Sequence, residues 1–194
     1  MTSVTRSSFS IALVAFLVAA SAALAGDWSG VETVRYRDDS VASFRARVVG
    51  GYLVVEAELA PGWHVFALDN VERARRRSGK EDPETELPTR IEVQGGLELI
   101  GPWYQSPPVD LSQPELRWYT WGFEGTATLC SKVSRPADSA DGESAFVVIN
   151  GQACTAEVCA RIDDLVLEVT VDEDSFQGEP TVELAALVAV LSGG

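Results

Sequence analysis

Histidine is nearly absent from this chain. His64 is the only one among 194 residues, so no site that needs two histidines exists here, the HExxH zinc helix included. Cysteine is sparse. Cys130, Cys154 and Cys159 are too few for a disulfide-dense scaffold. Cations are outnumbered: 15 Lys+Arg stand against 29 Asp+Glu, a net charge of −14 at pH 7. Such a chain lacks the positive charge that neutralises nucleic-acid phosphates, and anionic lipid repels it. No nucleic-acid partner is therefore expected. No glycine-rich loop has the spacing that cradles phosphates, and no small-molecule cofactor is expected. What remains is ordinary in one respect. A hydrophobic content of 46% is too high for a disordered acidic chain, and the length suits one domain.

Residues 1–25 read as an address. Arg6 gives a weakly basic start, Ile11 to Ala20 is apolar and uncharged, and Ala23-Leu24-Ala25 places small residues where signal peptidase cuts. The expectation is a cleaved secretory signal peptide and a single domain over residues 26–194. The apolar stretch is short for a membrane span, which needs roughly 20 predominantly apolar residues. Val182 to Leu191 is shorter still, so no span is expected in the mature chain, and that stretch reads as a final strand or a short helix. The three cysteines would then enter a periplasmic or secreted setting, where a disulfide persists.

Beyond the address, period-two patterns dominate. Phe44 to Val49 and Tyr52 to Leu59 flank Gly50-Gly51. This predicts a hairpin whose two-residue turn uses positive φ angles. Further strands are expected at Trp63 to Leu68, Thr89 to Val93, Leu97 to Ile100, Phe123 to Leu129, Ala145 to Ile149 and Leu165 to Val171. Seven to nine short strands between turn signals predict an all-β, immunoglobulin-like antiparallel sandwich. Asn70 to Pro88 carries a basic half, then an acidic half. It reads as a solvated loop or short helix, or else as a basic docking patch. Ser131 to Ser144 reads as an exposed connection. Trp103 to Trp121 holds three of the five tryptophans and reads as one loop. It either closes an end of the sandwich or forms an aromatic surface for a partner. His64 and Phe66 follow the Pro61-Gly62-Trp63 turn. They would line the cysteine end, or His64 would be a half-exposed strand residue.

Cys154-Thr-Ala-Glu-Val-Cys159 is the chemically loaded segment. A tight loop or one helical turn would bring its two sulfurs together. The pair is then a structural staple, a reactive pair or two buried thiols. A zinc site is not expected, since it needs four ligands and only His64 and Cys130 could join. Two thiolates with His64 could hold Cu(I). By strand parity Cys130 falls on the polar face, or just past the strand end, as a lone thiol.

Val55-Glu-Ala-Glu-Leu59, Ala60-Pro-Gly-Trp-His-Val-Phe66, Pro88-Thr-Arg-Ile91 and Gly151-Gln-Ala-Cys-Thr-Ala-Glu-Val-Cys159 occur in that order. Together they resemble the amino-terminal periplasmic domain of the thiol:disulfide interchange protein DsbD and the related disulfide bond corrector domains. The resemblance runs from about Val41 to Val171. It implies an immunoglobulin-like sandwich with the cysteine pair at one end, relaying electrons to thioredoxin-like periplasmic oxidoreductases. It implies that Cys159 forms the mixed disulfide and that Cys154 resolves it. It also implies an aromatic shield, for which Trp118, Tyr119 and Trp121 are the candidates. The electron donor would be a separate membrane protein. Glu157, Asp163 and Asp164 stand near the pair in sequence and would disfavour thiolate by like-charge repulsion. Two rival readings remain: a secreted binding module with an inert disulfide, and a copper-handling protein.

Overall fold

The structure, a computed structural model, describes residues 27–139, 142–179 and 183–191. In chain order its strands are β1 (Glu32–Tyr36), β2 (Asp39–Val49), β3 (Tyr52–Leu59), β4 (His64–Phe66), β5 (Arg90–Gly95) and β6 (Glu98–Gln105). These are followed by β7 (Val109–Asp110), β8 (Trp121–Glu124), β9 (Thr126–Ser134), β10 (Glu143–Cys154), β11 (Cys159–Val171) and β12 (Val188–Ala189). One α-helix, α1 (Asn70–Ser78), lies between β4 and β5. The strands form two antiparallel sheets. One runs β1-β2-β3-β9-β6-β12, and the other β11-β10-β4-β8-β7 with β5 also paired to β10. The expected all-β sandwich is therefore present. Residues 1–26, with the expected signal peptide, lie outside the described residues.

Alternation builds the core. Phe44, Ala46 and Val48 of β2, Leu53, Val55 and Ala57 of β3, and Val147, Ile149, Leu167 and Val169 of β10 and β11 are all buried in one cluster. Each large member contributes about 2 kcal/mol by leaving water. The β2–β3 hairpin closes as predicted, with φ of 57° at Gly50 and 74° at Gly51, angles that a side chain would strain.

Several boundaries differ from expectation. The predicted strand Phe123 to Leu129 is two strands. Gly125, at φ 68°, turns the chain from β8 in one sheet to β9 in the other. Apolar parity is continuous across that glycine, so periodicity could not reveal the change of sheet. Ser131 to Ser144 is not wholly a connection, because β9 runs to Ser134 and β10 begins at Glu143. Trp103 to Trp121 is not one loop either. Trp103 and Tyr104 belong to β6, beside β9. The C-terminal stretch holds a 3-10 turn at Leu184–Ala186 and then β12, so both expected forms occur there.

Cys130 is a free thiol, as expected, but it is buried and lies inside β9. Parity put it on the correct face, opposite Ala127 and Leu129. That face is covered. Val49, Val54 and Cys130 form a second small core beneath Trp28, Tyr52, Tyr104 and Leu187. Chain from both ends of the domain supplies the cover, which no local pattern shows. Burial pushes the Cys130 thiol up to about 11, so little thiolate forms at neutral pH. Alkylation of native protein at pH 8 should leave Cys130 unmodified over the time that unfolded protein reacts fully, as mass spectrometry would show.

Candidate functional site

β10 and β11 form a long hairpin with Cys154 and Cys159 as its last paired residues. The four residues between them make the loop. The Thr155 N–H donates to the Val158 carbonyl at 2.8 Å. The Thr155 hydroxyl accepts from the N–H groups of Glu157 and Val158, each at 3.2 Å. A side chain that satisfies turn N–H groups in this way fixes the loop without further packing. The two cysteines thus face each other, Cα atoms 4.0 Å apart, joined as a disulfide. Their exposures differ. Cys154 is 2% exposed, whereas Cys159 is open to solvent.

The other edge of β10 explains what surrounds the pair. β5 pairs with Ala145 to Asn150, then β4 takes over, with Val65 opposite Ala153 and His64 opposite Cys154. The change of partner is eased by Gly151, at φ 148°, where a Cβ would come within 3.3 Å of the Pro88 carbonyl and of the Thr89 Cα. The segment just before β5 therefore packs tightly on the hairpin, and it carries Glu86 to the cysteines. Side-chain amide N–H of Gln152 donates to the Glu86 carboxylate. The ligand atoms of Glu86, Cys154 and Cys159 all lie within 4.8 Å of one another.

A cavity of about 320 Å³ opens here, lined by His64, Phe66, Glu86, Trp118, Glu124 and Cys154 among others. His64 packs edge-on to Phe66, with ring centroids 5.2 Å apart. Burial lowers the His64 pKa, against the opposing pull of Glu124 and Glu86, so the imidazole is neutral at neutral pH. Trp118 is held by a β-bridge to Gln113. Its backbone N–H donates to the Gln113 carbonyl at 3.2 Å, and the Gln113 backbone N–H donates back to the Trp118 carbonyl at 2.8 Å. Pro114–Leu116 form a 3-10 turn at the tip of this excursion, and Leu116 there is 69% exposed.

One buried residue fixes two walls of the cavity. The Asn70 side-chain N–H donates to the Glu86 carbonyl at 2.8 Å and to the Thr85 hydroxyl at 3.2 Å. Its side-chain oxygen accepts from the Trp121 N–H at 2.7 Å and from the Thr120 hydroxyl at 3.2 Å. The segment bearing Glu86 and the base of the Trp118 excursion are thus tied to the start of α1.

Of the residues singled out from sequence, Cys154, His64, Phe66 and Trp118 share this cavity, and Cys159 stands at its edge through the disulfide. Tyr119 and Trp121 do not line it. Trp121 packs on the main core, and the Tyr119 ring lies beneath the Arg77 guanidinium, 6.0 Å from its centroid. Of the acids expected near the pair, Glu157 lies in the loop between the cysteines, while the other two are engaged further along β11. Asp163 pairs with Arg161 at 3.0 Å. It lies four residues along β11, about 13 Å from Cys159 at the usual rise of ~3.3 Å per residue. The Asp164 carboxylate accepts from Asn150. Glu86, seen in sequence only as part of an acidic run, is the carboxylate at the sulfurs. It is Glu86, not His64, that groups with the two sulfurs as a third donor. The copper set expected from sequence is corrected on that point, because His64 is turned against Phe66. Sequence reasoning missed Glu86, Asn70 and Gln152. Only the Gly151-Gln152 step before Cys154 hinted at close packing there.

No family model matches the chain, and no curated protein matches it. Among solved structures it is similar to the N-terminal periplasmic domain of ScsB from Proteus mirabilis. The identity is 16% and the TM-score 0.45, over 75% of this chain and 52% of that one. The chain therefore spans about half the length of that domain.

Proposed function

We propose that this chain exchanges disulfides with protein partners through Cys154 and Cys159. The observation that carries the reading is the asymmetry of the pair, with an exposed Cys159 joined to a buried Cys154 in a cavity that Trp118 also lines. Exchange needs one sulfur that can meet a partner's disulfide sulfur in line, and a second thiol protected until it is needed. Starting from the reduced pair, the Cys159 thiolate attacks one sulfur of the partner's disulfide, the mixed disulfide forms, the partner's S–S bond breaks, and the partner's other sulfur leaves as a thiolate that takes a proton. Cys154 then releases the partner: its thiol gives up a proton, and the thiolate attacks Cys159. The Cys154–Cys159 bond forms, the bond to the partner breaks, and the partner leaves as a thiolate that takes a proton. Two electrons pass from this pair to the partner.

The negative charge of Glu86 disfavours a second negative charge beside it. The reduced pair is therefore a reluctant nucleophile until a partner covers the site. Trp118 shields the pair, and Leu116 at the exposed tip offers an apolar contact. The fitting partners are thioredoxin-like periplasmic oxidoreductases, with a separate membrane protein as electron donor. Among the described residues no helix is long and apolar enough to cross a membrane. The reading includes a signal peptide at residues 1–25, one domain over residues 26–194 and a periplasmic or secreted location.

The rival is an inert staple, and equilibrium in glutathione buffers separates the two. The pair should show a reduction potential above about −300 mV. A value below that marks a structural disulfide and sinks the relay.

A further inference from the structure

Glu86 suggests a second property of the same site. We propose that reduction turns Cys154, Cys159 and Glu86 into a binding site for a single Zn²⁺-type ion, which the disulfide form cannot hold. The proposal rests on the exchange reading only in requiring that the pair can be reduced.

Three donors converge here from two separate stretches of chain, all within 4.8 Å of one another. The hairpin loop fixes the two sulfurs opposite each other. The carboxylate is not free to wander: Gln152, itself buried, holds one of its oxygens, and Asn70 holds the backbone behind it. A hydrogen bond that orients a metal-ligating carboxylate is the usual support for a metal ligand. Two thiolates and one carboxylate, with a fourth position open to the cavity, form a three-ligand zinc set with room for solvent. The hard oxygen donor favours Zn²⁺ over Cu(I), which soft sulfur ligands select. Glu124 lines the same cavity and adds to the attraction for a cation.

The chemistry balances. Reducing the disulfide takes two electrons and two protons and yields two thiols. Binding the ion releases both protons as the thiolates coordinate it. Metal and disulfide are therefore mutually exclusive, and the ion stabilises the reduced form alone. Each tenfold rise in free Zn²⁺ above its dissociation constant should raise the potential of the pair by about 29.6 mV.

The test uses protein reduced by a chemical thiol, freed of reductant under argon, and titrated with Zn²⁺ against a chromophoric chelator. Co²⁺ serves as the spectroscopic probe. Reduced protein should take up one ion per chain, and the sulfur-to-cobalt charge-transfer band should appear. Oxidised protein should bind none. Glu86→Gln should weaken binding by about tenfold or more, and Cys154→Ser should abolish the charge-transfer spectrum of the pair. Glu86→Ala repeats the test without the hydrogen bond to Gln152. Undiminished affinity in both Glu86 variants overturns the proposal. So does equal binding by the oxidised protein, absence of binding after complete reduction, or uptake of Cu(I) with none of Zn²⁺. Chemical reduction needs no protein partner. Failure of the relay thus leaves this result readable, and failure of metal binding leaves the relay standing.

Discussion

Cys154→Ser should accumulate a covalent mixed disulfide with a thioredoxin-like partner through Cys159, and Cys159→Ser should accumulate none. The asymmetry follows from exposure. A partner sulfur reaches Cys159, which is open to solvent, but not Cys154, which is 2% exposed. Once the mixed disulfide forms, only Cys154 lies close enough to cleave it, because the hairpin register holds the two residues opposite each other. A serine there cannot supply the attacking thiolate, so the intermediate persists and turnover stops. Non-reducing electrophoresis after mixing the reduced variant with the partner in its disulfide form reads the outcome directly. Trapping by Cys159→Ser instead would reverse the assignment of roles. Cys130→Ser should leave trapping unchanged, since Cys130 lies in the separate small core on the far face of its sheet.

The second large effect concerns stability. Asp69 is fully buried, and three donors from separate parts of the chain meet on its carboxylate. It accepts from Arg73 at 2.8 Å, from the Gln105 side-chain N–H at 2.7 Å and from the backbone N–H of Leu191 at 3.0 Å. Gln105 in turn accepts from the Leu68 N–H. This knot joins the start of α1, the end of β6 and the C-terminal segment that carries β12. Burial alone would raise the Asp69 carboxyl. The hydrogen bonds from Arg73, Leu191 and Gln105 outweigh it and hold the group below its ordinary value.

Asp69→Ala strands a guanidinium and two N–H donors, one of them on a buried glutamine. It should cost about 3 kcal/mol. For a chain of this size that lowers Tm by on the order of 10 °C. The pH dependence follows in sign. A depressed carboxyl contributes its full stability above the ordinary value of 3.8 and loses it as pH falls through the folded value. The gap between wild type and Asp69→Ala should therefore be widest at neutral pH and close in strong acid. His64 acts in the same direction at higher pH. Its lowered pKa makes the fold lose stability as pH drops below the ordinary histidine value of 6.5. Thermal melts of both proteins between pH 3 and 8 check the two signs. A gap that widens in acid contradicts the assignment.

The basic run of the Asn70 to Pro88 segment takes a modest structural form. It is mostly helix α1, closed by Gly79 at φ 71° with its N–H on the Arg75 carbonyl. Arg73 serves Asp69, and Arg77 lies over Tyr119. The acidic half supplies Glu86. Charge patterning in sequence thus marked a segment of consequence. It did not separate the residues that face solvent from the single carboxylate that faces the sulfurs.

What the sequence determined by itself was local. Alternating apolar residues, paired glycines and a Cys-x4-Cys segment were enough to predict a β-sandwich, the β2–β3 hairpin and the pair to watch. Such features depend on neighbours in the chain, where the strand period and turn chemistry act directly. The tertiary structure decided which groups share space with the cysteines. Glu86 is 68 residues before Cys154 in the numbering and reaches it only because β5 and β4 share one edge of β10. Trp118, rather than Tyr119 or Trp121, faces the cavity because a bridge to Gln113 and the Asn70 knot set the turn of that excursion. Cys130 is buried because both ends of the domain fold over it. The scarcity of histidine and cysteine, read first as a set of exclusions, leaves one disulfide, one sealed thiol and one neutral imidazole. Long-range pairing placed a carboxylate at that disulfide, since strand order is a property of the whole sheet and not of any window of sequence.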